Sequence, residues 1–171
     1  MKKARKAKKA KAQPKAKAKV QPIPKGYHEV TPYLSIRGAA QAIDFYKKAF
    51  GAREMMRMPG QDGKLGHAEI AIGGSRVMLS DEYPEMQFMG PETRGGTTVH
   101  LHVYLKDVDK VVERAVAAGA KLIRPVENQF YGDRTGSVQD PFGHIWHLAT
   151  HVEDIAPKEM KRRAEEKAKG G

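Results

Sequence analysis

Between residues 27 and 50 the apolar positions change period once. Val30-Thr31-Pro32-Tyr33-Leu34-Ser35-Ile36 alternates as a strand with one buried face does. Pro32 cannot donate to a ladder, which places this strand at a sheet edge or puts the proline at a strand start. Ala42, Ile43, Tyr46, Ala49 and Phe50 then recur at helical spacing, and Gly51 supplies the stop. Arg53–Met58, Gly66–Ile72 and Arg76–Ser80 read as three further strands. Pro59-Gly60 with Asp62-Gly63, and then Gly73-Gly74, provide the turns between them. The order is β-α-β-β-β over about residues 27–83, module 1.

The same order returns over about residues 97–153, module 2. Val99–Leu105 alternates as a strand. Asp107 is placed to cap a helix with the apolar face Val108, Val111, Val112, Ala115 and Val116, ended by Gly119. Strands follow at Lys121–Arg124, Thr135–Gln139 and His144–Thr150. One offset of 69 residues sets Thr31 on His100 and Met78 on His147. The helix-ending glycines Gly51 and Gly119 fall 68 apart, which implies a one-residue slip in the loop before the helix. A tandem duplication predicts an α+β fold of two βαβββ modules forming a curved, open, mixed sheet over residues 26–153. Asp81–Gly96 reads as the linker between halves. Residues 154–171 read as a surface helix, with Pro157 near its start.

The two faces of each strand separate cleanly. Val30, Leu34 and Ile36 oppose Thr31, Tyr33 and Ser35, and Ala68, Ile70 and Ile72 oppose His67 and Glu69. Val77 and Leu79 oppose Arg76, Met78 and Ser80. In module 2, Val99, Leu101, Val103 and Leu105 oppose His100, His102 and Tyr104, and Trp146 and Leu148 oppose Ile145, His147 and Ala149. The helices need an apolar sheet face, so the mixed polar sets must line the other, concave face. Histidines and a glutamate on several adjacent strands are what a ligand pocket needs, although an open sheet face can also simply be wet.

Composition alters this picture mainly at one end. Residues 1–25 hold 11 Lys/Arg and no acid, which leaves 20 basic and 20 acidic residues for the remainder. The net charge of +11 therefore belongs to a Lys/Ala/Pro tail whose composition cannot offset its ordering entropy, and the folded part is neutral. Such a tail solubilises, or binds nucleic-acid phosphates weakly and without reading sequence. The absence of cysteine excludes disulfides, thiolate metal sites and cysteine nucleophiles. No stretch reads as a membrane span or secretory signal, so a cytoplasmic location is expected.

Ala42-Ile43-Asp44-Phe45-Tyr46 followed by Ala49-Phe50-Gly51, Asp140-Pro141-Phe142-Gly143-His144, Gly132-Asp133-Arg134 and Leu148-Ala149-Thr150-His151 resemble strings of the vicinal-oxygen-chelate superfamily. The likeness is to its PhnB-like glyoxalase/bleomycin-resistance/dioxygenase branch and covers about Tyr27 to Arg163. It implies paired modules and a small-molecule pocket. It also implies, in the metal-dependent members, ligands on the first and fourth strands of each module. Those positions are Thr31, Met78, His100 and His147. Two imidazoles suit Zn, Ni, Fe or Mn, whereas a neutral hydroxyl and a thioether do not complete the set, which favours pocket histidines without a metal. The candidate acid–base or metal residues are therefore His100 and His147, with Glu69 as a carboxylate no family position supports. Thr31, Tyr33, His67, Met78, His102, Tyr104 and Arg134 are candidate pocket residues. Asp140 is expected to serve a turn, and Asp133 and Arg134 to form a surface pair. Three functions stay open: a lyase, isomerase or dioxygenase, a ligand-sequestering protein, and nucleic-acid association through the tail. The duplication further implies a homodimer, because each module leaves an edge that another must cover.

Overall fold

A computed structural model describes residues 20–169. Module 1 comprises β1 (Tyr33–Ile36), α1 (Ala39–Phe50), β2 (Arg53–Pro59), β3 (Leu65–Ile72) and β4 (Ser75–Asp81). After a 3-10 turn at Pro84–Met86 and the short α2 (Pro91–Arg94), module 2 follows with β5 (His100–Tyr104), α3 (Val108–Ala117), β6 (Lys121–Asn128), β7 (Asp133–Gln139) and β8 (Ile145–His151). The chain continues into α4 (Pro157–Lys169). The strands form two four-stranded mixed sheets, β1-β4-β3-β2 and β5-β8-β7-β6, each with one parallel pair at the end. Both are open, and among the described residues β1 and β5 are unpaired on their outer sides.

The faces divide as alternation requires. Leu34, Ile36, Ala68, Ile70, Val77 and Leu79 are buried under α1, and Val138, Trp146 and Leu148 join the same core from module 2. Three expectations need correction. Pairing in β1 ends with the Met78 N–H donating to Pro32 O, and Val30 lies outside the strand, 84% exposed. The missing N–H of Pro32 ends the ladder there. β6 runs to Asn128, beyond the expected Arg124, because a register shift between Arg124 and Glu127 accommodates Pro125. The linker is built structure: the Glu82 carboxylate is buried and accepts from Arg37, Thr93 and the Gly90 N–H.

The one-residue slip between modules is also relocated. Buried Ala39, Ala42, Ile43 and Tyr46 match buried Val108, Val111, Val112 and Ala115 at the full 69-residue offset. The extra residue of module 1 therefore lies at the C-terminal end of its helix, not before it. The capping confirms this alignment. Asp81 Oδ1 accepts the Gly38 and Ala39 N–H groups at 2.9 and 3.0 Å, and Thr150, 69 residues on, accepts the Val108 N–H at 2.9 Å. Asp107 caps α3 as expected, accepting from the Lys110 N–H.

The modules meet back to back, through α1 against α3. Phe50 stacks obliquely on Trp146, ring centroids 4.8 Å apart, with Tyr46 against the same indole at 5.3 Å. At their centre lies Asp140, buried. Its Oδ1 accepts the Phe142 and His144 N–H groups, closing its own hairpin. Its Oδ2 accepts the Tyr46 hydroxyl at 2.8 Å and the Trp146 indole N–H at 2.9 Å. Burial first, and then the Asp140 charge, push the Tyr46 hydroxyl well above its usual range. Asp140 thus serves its turn and also ties the two modules.

Candidate functional site

The parallel register of β5 and β8 sets His102 opposite His147, and His100 opposite Ile145. Side chains two apart on a strand share a face, so His100, His102, Tyr104 and His147 all project to the concave side. His100 Nδ1 and His147 Nε2 share a hydrogen bond at 3.0 Å, and His147 Nδ1 bonds the Ser137 hydroxyl at 2.7 Å. Ser137 sits opposite His147 on β7, which makes a continuous line from Ser137 through His147 to His100. The His102 ring lies 6.3 Å from that of His147. Burial first, and then the nearby His100, His102 and Arg124, hold the His147 imidazole below its ordinary value. A cavity of about 430 Å³ opens here, lined by His102, Arg124, Thr135, Ser137 and His147 from the sheet and by Lys167 from α4.

Further along this face, Tyr104 donates to Asp133 at 2.8 Å, and Asp133 Oδ1 bonds His151 at 2.7 Å. Burial works against the Asp133 charge, but the bonds from His151 and Tyr104 outweigh it and lower the carboxyl. Asp133 and Asp154 together raise the His151 imidazole. Arg134 points elsewhere: it grips Asp109 through Nε and Nη2 at 2.7 and 2.6 Å and reaches Asn128. The expected Asp133–Arg134 pair is therefore absent, because neighbours on a strand project to opposite faces. Gly132, at φ 94°, passes so close to Glu153 O that a Cβ would lie 2.2 Å from it. Its carbonyl accepts the Val152 and Glu153 N–H groups, which fixes where the chain leaves β8 toward α4.

The remaining candidates belong to module 1. Tyr33 bonds His67 Nδ1 at 2.8 Å, and Met78 lies opposite Tyr33 and Glu69. Thr31 precedes β1. Glu69 is buried and committed: Tyr27 donates to it, and Arg76 and His67 lie 3.5 Å away. Within one chain Glu69 thus stays in the first sheet, apart from the His100–His147 pair. Sequence reasoning missed Ser137, Arg124, Tyr27 and Lys167. Alternation along β7 and β6 would have found the first two, whereas Tyr27 and Lys167 reach the sheets from outside the strands.

A model of the Glyoxalase/Bleomycin resistance protein/Dioxygenase superfamily matches residues 28–148. The chain belongs to that superfamily. The uncharacterized protein Rv0887c of Mycobacterium tuberculosis is 46% identical over 135 residues, 77% of this chain and 79% of that one. Among solved structures, TioX from Micromonospora sp. ML1 is 26% identical, covers 75% of this chain and all of its own, and superposes with a TM-score of 0.57. A PhnB protein from Bacillus cereus shares the fold at 20% identity, covering 72% of this chain and 99% of its own, TM-score 0.57. Glyoxalase-superfamily members can hold a metal, as the FosX protein from Listeria monocytogenes holds Mn(II). At the positions of the family's ligands His100 and His147 are bonded to each other, with the His102 ring 6.3 Å from that of His147. Among the described residues no group of three or more His, Asp or Glu is placed to hold an ion. The residues of one chain do not fit a metal. No helix among the described residues is long and apolar enough to cross a membrane.

Proposed function

We propose that the protein binds a small organic molecule on the concave face of module 2, without a metal, and that it works as a homodimer. One observation carries the reading. His100 and His147 meet at 3.0 Å beside a cavity of ligand size, and among the described residues no third His, Asp or Glu joins them to complete a metal's donor set. A protein that sequesters its ligand, of the bleomycin-resistance kind, needs no more. Dimerisation is supported by the open edges of β1 and β5, where Val99 and Tyr104 are 67% and 61% exposed. Pairing across copies would set the Tyr33, His67, Glu69 and Met78 face of one protomer against the histidine face of the other.

A second reading is catalytic. An imidazole kept neutral by burial, oriented by Ser137 and bonded to a second imidazole, suits proton transfer at a carbon beside a carbonyl, the step of an isomerase or lyase. The test joins elemental analysis of protein purified without an affinity metal to sedimentation at micromolar concentration. A metal-free dimer is expected. Stoichiometric Zn, Ni, Fe or Mn, lost in both His100→Ala and His147→Ala, would replace this reading with metal-assisted lyase or dioxygenase chemistry, and a monomer would remove the shared pocket. The basic residues 1–25, of which 1–19 lie outside the described residues, support a separate proposal of weak, salt-sensitive nucleic-acid binding. Deleting residues 1–24 should abolish it.

A further inference from the structure

The helix beyond the duplicated domain, α4, has no buried residue, yet it lies against module 2. Arg163 grips Glu153 through both carboxylate oxygens at 2.8 Å and Glu159 through Nε, and Lys167 lies 5.6 Å from the Phe130 ring. These contacts place Lys167 on the lining of the 430 Å³ cavity, to which Arg124 of β6 also contributes. Other cations nearby are already committed to carboxylates: Arg134 to Asp109, Arg162 and Arg163 to Glu159. Arg124 and Lys167 have no carboxylate partner among the described residues. Glu127 also lines the cavity, so its wall retains one positive charge in excess with the imidazoles neutral. The rest of the wall is polar, with Gln129, Tyr131, Thr135, Ser137, His102 and His147.

We infer that this cavity takes a small organic anion, its carboxylate or similar group held between Arg124 and Lys167, so that α4 is part of the binding site. The inference rests on the small-molecule reading above and adds the charge of the ligand and the role of the C-terminal helix. A guanidinium offers two parallel N–H groups to a carboxylate, and an ammonium adds a second positive charge. Arg124 and Lys167 together exceed Glu127 by one charge on the cavity lining, and a bound anion neutralises that excess. His102 and His147 then face the uncharged part of the ligand, with Ser137 behind them.

The experiment uses the full-length protein and two probes of nearly equal shape, benzoate and benzamide, followed by the histidine side-chain NMR signals. Benzoate should shift the His102 and His147 signals and bind at least tenfold more tightly than benzamide. Lys167→Met and Arg124→Met should each weaken benzoate at least threefold while leaving benzamide unchanged. Lys167→Arg should retain most of the affinity, and Lys161→Met, on the solvent side of α4, should change nothing. Equal binding of the two probes at these histidines would overturn the anion inference while leaving the small-molecule reading intact. A preference for benzoate that survives Lys167→Met would remove α4 from the site. If neither probe, at any concentration to tens of millimolar, shifts the His102 or His147 signals, both the inference and the small-molecule reading fall.

Discussion

The two modules share a scaffold and differ in chemistry. In both, the side chain at the end of the fourth strand caps the helix: Asp81 accepts the N–H groups opening α1, and Thr150 accepts the first N–H of α3. In both, β1 or β5 runs parallel to the fourth strand in the same register, Tyr33 opposite Met78 and His102 opposite His147. The concave faces diverge. In module 1 the buried Glu69 is answered by Tyr27, Arg76 and His67, with the Arg76 guanidinium over the Tyr27 ring. In module 2, Ser137 replaces that carboxylate, His147 replaces Met78, and Arg124 stands beside the histidines without an acid. One face answers its buried carboxylate with its own cation and hydroxyl, whereas the other holds the Arg124 guanidinium without a carboxylate partner among the described residues. The helix–sheet contacts are kept in both halves by different side chains, Ala39, Ala42, Ile43 and Tyr46 in one and Val108, Val111, Val112 and Ala115 in the other, while the concave faces differ in charge.

The largest expected effect comes from the tie between the modules. Trp146→Ala should cost about 4 kcal/mol, the usual range for emptying a buried aromatic site. Asp140→Ala should cost about 3 kcal/mol, because the buried Tyr46 hydroxyl and Trp146 indole N–H lose their acceptor and two hairpin N–H groups lose theirs. Urea unfolding measures both, and an Asp140→Ala value below that of Asp81→Ala would break the picture of a hub peculiar to module 2. Asp81→Ala removes the acceptor of three N–H groups, including that of Leu65, and should cost about 2 kcal/mol. Thr150→Ala removes one and should cost about 1 kcal/mol.

The smallest effects are in pH dependence, where two histidines of module 2 pull in opposite directions. The His147 imidazole is depressed in the fold. Its contribution is complete above the unfolded value of about 6.5 and is lost as pH falls below it toward the folded value. The His151 imidazole is raised by Asp133 and Asp154. Its contribution is complete below about pH 6.5 and fades as pH rises through the folded value. His147→Gln should therefore flatten the acid limb of the stability profile, and His151→Gln the neutral-to-alkaline limb. NMR titration of the parent should find His147 below and His151 above the ordinary imidazole value. The reverse order would undo the assignment of burial to one and acidic partners to the other.

Much of this was legible along the chain. Alternation separated the faces of β3, β4, β5 and β8, and one offset of 69 residues aligned Thr31 with His100 and Met78 with His147 in the register that the parallel ladders adopt. The reason is local: a strand has two faces, and a helix needs an apolar one. Pro32 announced its interruption, whereas Pro125 hid a bulge, since a register shift depends on the neighbouring strand. The motif Asp140-Pro141-Phe142-Gly143-His144 announced a hairpin, but nothing near it announced that Tyr46, 94 residues away, donates to the same carboxylate.

What the sequence by itself determined is therefore the period of each element, the face of each side chain and the repeat. Each follows from backbone geometry and the cost of exposing apolar surface. What only the tertiary structure decided is which polar groups meet. It put Glu69 in one sheet and the histidine pair in the other, gave Arg134 to Asp109 and away from the cavity, and brought Lys167 onto the cavity wall from beyond the duplicated domain. Hydrogen bonds and ion pairs form at contact distance between residues of any separation in the chain, and no periodicity encodes which long side chain will arrive.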